Sequence, residues 1–294
     1  MSDANHRLGQ VQKNRDTHML INRVATHLLT APELQDTMRT LAEGDDASLS
    51  VAQSARTLLA AAIWAHDPRP TLLVVPNEEN ADRMANALSA WLGHGSVCRF
   101  PERKDWPWAD KAADDAVIGA RCHALDLLAK GENCLVVASA RSLLRRVPPK
   151  GSGFYEGATF EVGEEVEFED MGRLLVSMGY ADTGEVDGPG TFHIHGDLVD
   201  IYPTQATSAV RIEFFGDEID RIRRMVPATG QTIQDLDSVS IVPAREIAFT
   251  DETIAKATIS LMRRTTNDKN IEADLDLIKE RAQAPHLDKY LPDL

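Results

Sequence analysis

The 294-residue chain, 43% hydrophobic and 26% charged, is long enough for two packed domains, since single cores stop growing at about 250 residues. Its 46 Asp and Glu against 31 Lys and Arg leave a net charge of −15, which excludes a protein that grips the phosphate backbone on its overall charge, because such binding needs clustered cations. No run reaches the roughly 18 apolar residues of a membrane span, and positions 1–15 lack the apolar core of a secretion signal, so no membrane partner and a cytoplasmic location are expected.

Between 17 and 42, Leu20, Val24, Leu28, Leu34, Met38 and Leu41 fall near helical spacing, interrupted at Pro32. This predicts two short amphipathic helices, the second opened by that proline. Helix 54–65, the apolar run 71–75, helix 78–92, strand 97–100, helix 112–130 and the apolar run 134–138 follow. Short apolar strands alternating with helices predict a parallel sheet covered on both faces. Cys98, Cys122 and Cys134 are widely separated, which favours reduced thiols over a disulfide framework or a zinc site.

The Pro- and Gly-rich stretch 147–153 cannot continue a helix and marks a domain junction. Beyond it, β-type alternation predominates. Phe160, Val162, Val166 and Phe168 alternate around a Gly-Glu turn, 170–180 suits one helix, and 191–202 reads as a hairpin or bulged strand around Gly196-Asp197. Strands at 210–214 and 219–226 complete a small α+β domain, and helices at 253–264 and 270–283 end the chain. Residues 149–245 hold 18 acidic against 7 basic side chains, a net −11, so the remainder carries only −4. The small domain is the acidic one.

Three places invite chemistry. Ser50, Gln53, Ser54, Ala55, Arg56 and Thr57 stand where a phosphate-binding loop would precede a helix. Such a loop needs glycines, whose positive φ lets backbone N–H groups turn inward, and a lysine for the terminal phosphates. This segment has no glycine and carries Arg56 at the lysine position, so an inactive loop and no cofactor are expected. His193 and His195 alternate on one strand face, as a surface or contact pair rather than a ligand set, since metal needs a third donor. Trp106 and Trp108, flanked by Arg103 and Lys104, suit a base-stacking platform or a packed loop. No catalytic residue is predicted.

The run from Gly190 through His193, Ile194, His195, Gly196, Asp197 and Asp200 to Pro203, then Val210 through Glu213, Phe214, Phe215, Gly216 and Asp217 to Ile222, resembles the interaction domain shared by the UvrB and transcription-repair coupling factor (Mfd) families. Asp105 to Trp108, Arg121 to Leu128 and Leu135 to Ala140 resemble the first half of the same module. The lost glycines and lysine at 50–57 favour the coupling-factor branch. The resemblance implies an α/β fold: a degenerate helicase-like parallel-sheet domain with an inserted or following small α+β domain of the UvrB interaction-domain type. It divides the chain into an N-terminal helical segment at 1–47, the α/β domain at 48–148, a UvrA-binding domain at 149–245 and a helical return at 246–294. It implies UvrA as partner, with RNA polymerase, DNA and ATP hydrolysis left to other parts of the longer protein. In the UvrB branch, arginines at the positions of His193 and His195 and near Asp182 are associated with UvrA contact, and this sequence departs at all three. Tyr180, Phe192 and Ile194 are the expected apolar anchors and Asp182, His193 and His195 the polar contacts. The alternatives are a UvrB-type ATP-dependent helicase fragment and a direct DNA binder using Arg103, Lys104, Arg141, Arg145 and Arg146.

Overall fold

The computed structural model describes residues 24, 27–93, 95–104, 114–148, 154–246, 251–263 and 269–279. The expectations for 1–23, for Trp106-Pro107-Trp108 and for the junction residues 149–153 lie outside them. The chain divides into two compact units, one of 1–100 with 130–143 and one of 101–129 with 144–294.

In the first unit, helix α1 (Pro32–Ala42) opens on its proline, whose missing N–H costs nothing in a first turn. Helix α2 (Arg56–His66) follows a short 3₁₀ turn, Gln53–Ala55. Strand β1 (Thr71–Val75), helix α3 (Glu78–Leu92), strand β2 (Val97–Phe100) and strand β3 (Leu135–Ser139) form a three-stranded parallel sheet in the order β1-β3-β2 with its helix. Helix α3 starts where the Asn77 side chain accepts from the Asn80 N–H at 2.9 Å, with Glu78 and Glu79 at the positive end of the helix dipole. It buries Ala81, Ala85, Leu88 and Leu92 against Leu135 and Val137. The expected cover on both faces holds for β3, all of whose residues are buried. It fails on β1, where Leu72 and Val74 are each 48% exposed, as befits a strand at the sheet edge with one unclothed face.

The three cysteines are free. Cys98 lies beside Cys134, and a hydrogen bond between the two thiols, helped by burial, pushes Cys98 far above the ordinary thiol range.

The second unit contains helix α4 (Asp115–Lys130) up to residue 129 and a sheet of six strands. Strand β4 (Ala158–Glu161) leads to helix α5 (Phe168–Ser177), then β5 (Ala181–Asp182), β6 (Thr191–His195), β7 (Leu198–Tyr202), β8 (Ala209–Phe215), β9 (Glu218–Met225), β10 (Thr232–Leu236) and β11 (Ser238–Ile241). Strands β5 to β10 lie side by side in sequence order, antiparallel except for β5 with β6, and β11 pairs with β4 in a two-stranded ribbon. The meander follows from its turns: Gly196 and Gly216 adopt positive φ, 59° and 66°, at the two-residue corners of β6-β7 and β8-β9.

One face of this sheet is the core. Phe192, Val199, Ile201, Val210, Ile212 and Phe214 alternate inward and meet Met171 and Leu175 of the amphipathic α5. A bulge between Glu213 and Phe214 lets both Ile219 and Ile222 of β9 point into it. Helix α4 belongs to the same body through three buried contacts. A Cβ on Gly119 would stand 2.4 Å from Thr204 Cβ, so only glycine permits this approach. Asp126 accepts from the Gly157 N–H at 2.8 Å. Arg121, fully buried, donates to Glu246 and to the Pro101 carbonyl at 2.9 Å, while Arg103 lies 3.5 Å from Glu246. Helices α6 (Asp251–Met262) and α7 (Lys269–Lys279) pack Ala257 and Leu261 on Leu275 and Ile278.

Candidate functional site, an open sheet face

The outward face of the six-stranded sheet is polar, and strand register aligns its side chains in rows. His193 on β6 stands opposite Asp200 on β7, which stands opposite Arg211 on β8, then Arg223 on β9 and Asp235 on β10. The adjacent row runs His195, Leu198, Glu213, Arg221.

Within these rows the charges pair. Arg211 makes a bidentate bond to Asp200 at 2.6 and 2.7 Å, the planar match of guanidinium and carboxylate; that hydrogen bonding raises the arginine further above its ordinary range. Arg223 pairs with Glu213, and Arg221 with Asp235 at 3.1 Å. His193 and His195 stack with centroids 5.4 Å apart and planes 16° from parallel. His193 Nδ1 lies 3.2 Å from Asp182 Oδ1, within hydrogen-bond reach.

Of the expected contact residues, Asp182, His193 and His195 therefore come together at the surface. Tyr180 and Phe192 do not, and this corrects their expected role as anchors. Phe192 is 2% exposed because alternation turns it to the face opposite its histidine neighbours. Tyr180 is 0% exposed and donates its hydroxyl to the Val242 carbonyl at 2.8 Å, with burial holding the phenol well above its ordinary range. Ile194 is half-buried against the same core. No partner reaches Tyr180 or Phe192 without unfolding the domain.

A groove of 730 Å³ lies on this face, lined by the histidines, Asp200, Tyr202, Arg211 and Met225 and by residues 184–187, 226–228 and 230. Sequence reading found its histidines and missed its wall and Met225. The Asp200–Arg211 bond joins β7 to β8 across the longer connection 203–208, so no two-residue turn marks its register in the sequence.

The expected inactive loop is placed as follows. Ser50 and the preceding residues 45–49 have no regular structure, Gln53, Ser54 and Ala55 form the 3₁₀ turn, and Arg56 and Thr57 begin α2. Gln53, Arg56 and Thr57 line a 320 Å³ recess with Pro76, Asn80 and Arg83. That lining has no glycine to form a phosphate nest. Among the described residues no group of three His, Cys, Asp or Glu is placed to hold a metal, and no helix is long and apolar enough to cross a membrane. Arg103, counted among the cations of the DNA-binding alternative, is buried in the second unit at 3% exposure and does not face solvent.

Residues 158–247 match the UvrB interaction domain. The chain is 36% identical over 230 residues to the transcription-repair-coupling factor of Myxococcus xanthus, across 76% of this chain and 19% of that protein. The chain carries a UvrB-like module of the kind found in transcription-repair-coupling factors. It is 28% identical over 252 residues to the Bacillus subtilis coupling factor, covering 81% of this chain and 21% of that one. To UvrABC system protein B of Mycobacterium bovis it is 34% identical over 202 residues, 64% of this chain and 28% of the relative. The chain thus spans 19–28% of the length of these relatives, and the sheet-face rows all lie inside the matched domain.

Proposed function

We propose that this chain is a docking module that binds UvrA in nucleotide excision repair coupled to transcription, and that it performs no chemistry of its own. The observation that carries this reading is the match of 158–247 to the UvrB interaction domain, the domain that presents an ordered row of charged and imidazole side chains on one open sheet face. Within the interaction domain, the residues left to touch a partner are Asp182, His193 and His195 together with the rest of that face. The loss of glycine and lysine at 50–57 supports a module that binds and hydrolyses no nucleotide and needs no cofactor. DNA translocation, ATP hydrolysis and contact with RNA polymerase then belong to the remainder of a longer cytoplasmic protein, in which the first unit is a helicase-like domain that has lost its phosphate loop.

Two titrations of the purified chain test the reading. With UvrA from the same organism, a saturable complex is expected at micromolar concentration or below, and its absence at tens of micromolar overturns the docking assignment. With Mg-ATP no binding heat is expected; a stoichiometric isotherm replaces the adaptor by the helicase-fragment alternative.

A further inference from the structure

The charges of the open face do not cancel uniformly, and the imbalance is local. Along the rows of the face the facing charges pair: Asp200 with Arg211, Glu213 with Arg223, Asp235 with Arg221. Asp182 is engaged by His193. On the groove's wall, Glu185 and Asp187 are exposed, point at the same recess, and have no ion-pair partner among the described residues. Between them Val186 is buried on Ala209 and Met225 with Tyr202 alongside, which fixes the stretch that carries the two carboxylates.

We infer that this groove receives a cationic side chain, lysine or arginine, of the protein partner, an inference that rests on the docking reading and specifies its chemistry. The aliphatic stem of such a residue fits along Tyr202 and Met225, and its charged head meets Glu185 and Asp187. The domain's net −11 adds a long-range field of the same sign. The imidazoles stand where arginines are expected from the UvrB branch, and the guanidinium that lines the groove, Arg211, is already held by both oxygens of Asp200.

The polarity makes the test decisive. Binding of the full chain to UvrA is measured by calorimetry at pH 8 over 50–300 mM salt, with E185Q/D187N and, separately, H193R/H195R. Both variants change exposed or half-exposed groups, and their circular dichroism and melting are checked against the parent. The inference predicts that E185Q/D187N weakens binding roughly fivefold to tenfold and flattens its salt dependence. It also predicts that H193R/H195R weakens binding, because it places two cations where a third must enter. An affinity for E185Q/D187N within twofold of the parent, or a tighter complex for H193R/H195R, overturns it. If the parent does not bind UvrA, the docking reading falls and the groove is judged by nuclear magnetic resonance with hexa-arginine. Shifts confined to 184–187, 193–195 and 202 support a cation site, whereas shifts spread equally over the acidic run 161–170 overturn it.

Discussion

Strand β6 offers a clean separation of folding from docking, because neighbouring residues on it face opposite ways. Phe192 is 2% exposed and in register with Ile201, itself fully buried, whereas His195 is exposed one turn of the pleat away. Removing a buried phenyl ring loses its transfer free energy and leaves a cavity, together about 3–5 kcal/mol, a large part of the roughly 5–15 kcal/mol that holds a domain. For a unit of 150–250 residues each kcal/mol is worth about 2–4 °C. Phe192→Ala is therefore expected to melt roughly 6–20 °C below the parent, and His195→Glu within about 2 °C of it, since a substitution on an exposed strand end changes stability by about 0.5 kcal/mol or less. Circular dichroism melts and urea titrations at equal protein concentration measure both. The binding assay, run well below the lower midpoint, separates the two further, with Phe192→Ala retaining affinity for UvrA wherever it is folded. A Phe192→Ala protein as stable as its parent but unable to bind UvrA refutes the placement of this ring in the core and returns it to the contact surface.

Two further outcomes follow from the way α4 joins the second unit. Glu246→Gln removes the carboxylate shared by the buried Arg121 and Arg103 and is expected to cost about 3–5 kcal/mol, the usual penalty for stripping one partner from a buried ion pair; a loss below about 1 kcal/mol in urea unfolding contradicts the assigned cluster. Gly119→Ala is expected to destabilise by about 1–3 kcal/mol, because its Cβ would lie 2.4 Å from Thr204 Cβ and 2.5 Å from that residue's backbone carbonyl carbon. An open helix site gains about 1 kcal/mol from the same change, so the sign of the measured shift decides the matter.

Much of the secondary structure was legible because the hydrophobic period and the turn residues agree. Pro32, the Asn77 cap, and the glycine corners at Gly196 and Gly216 punctuate the chain where elements change. Strands β10 and β11 were not legible. Thr232 to Leu236 and Ser238 to Ile241 carry few large apolar residues, and most of their side chains are exposed or half-buried. They are strands because β9 and β4 supply ladder partners, which is tertiary information. The two-residue β5 is likewise below any periodic signal. The packing of α4 depends on Arg121 finding Glu246 125 positions later, and a basic residue on a helix otherwise looks like a solvated one. Arg103 was misjudged as a surface cation for the same reason.

The contact surface shows a different kind of limit, one that strand physics alone corrects. Phe192, His193, Ile194 and His195 cannot all meet one partner, since successive side chains of a strand alternate faces. The period of two divides them into Phe192 with Ile194 and His193 with His195, and the burial of Ile201 and Val199 opposite the first pair decides which set is inside. Once the histidines are outward, register carries the row through Asp200 and Arg211 to Arg223 and Asp235 without reference to any relative. What register cannot supply is the wall of the groove, because Glu185 and Asp187 belong to the connection between β5 and β6, whose path is set by Val186 entering a small core on Ala209 and Met225. One buried valine thus positions both unpaired carboxylates, so the local excess of negative charge at this groove depends on a hydrophobic contact in a loop.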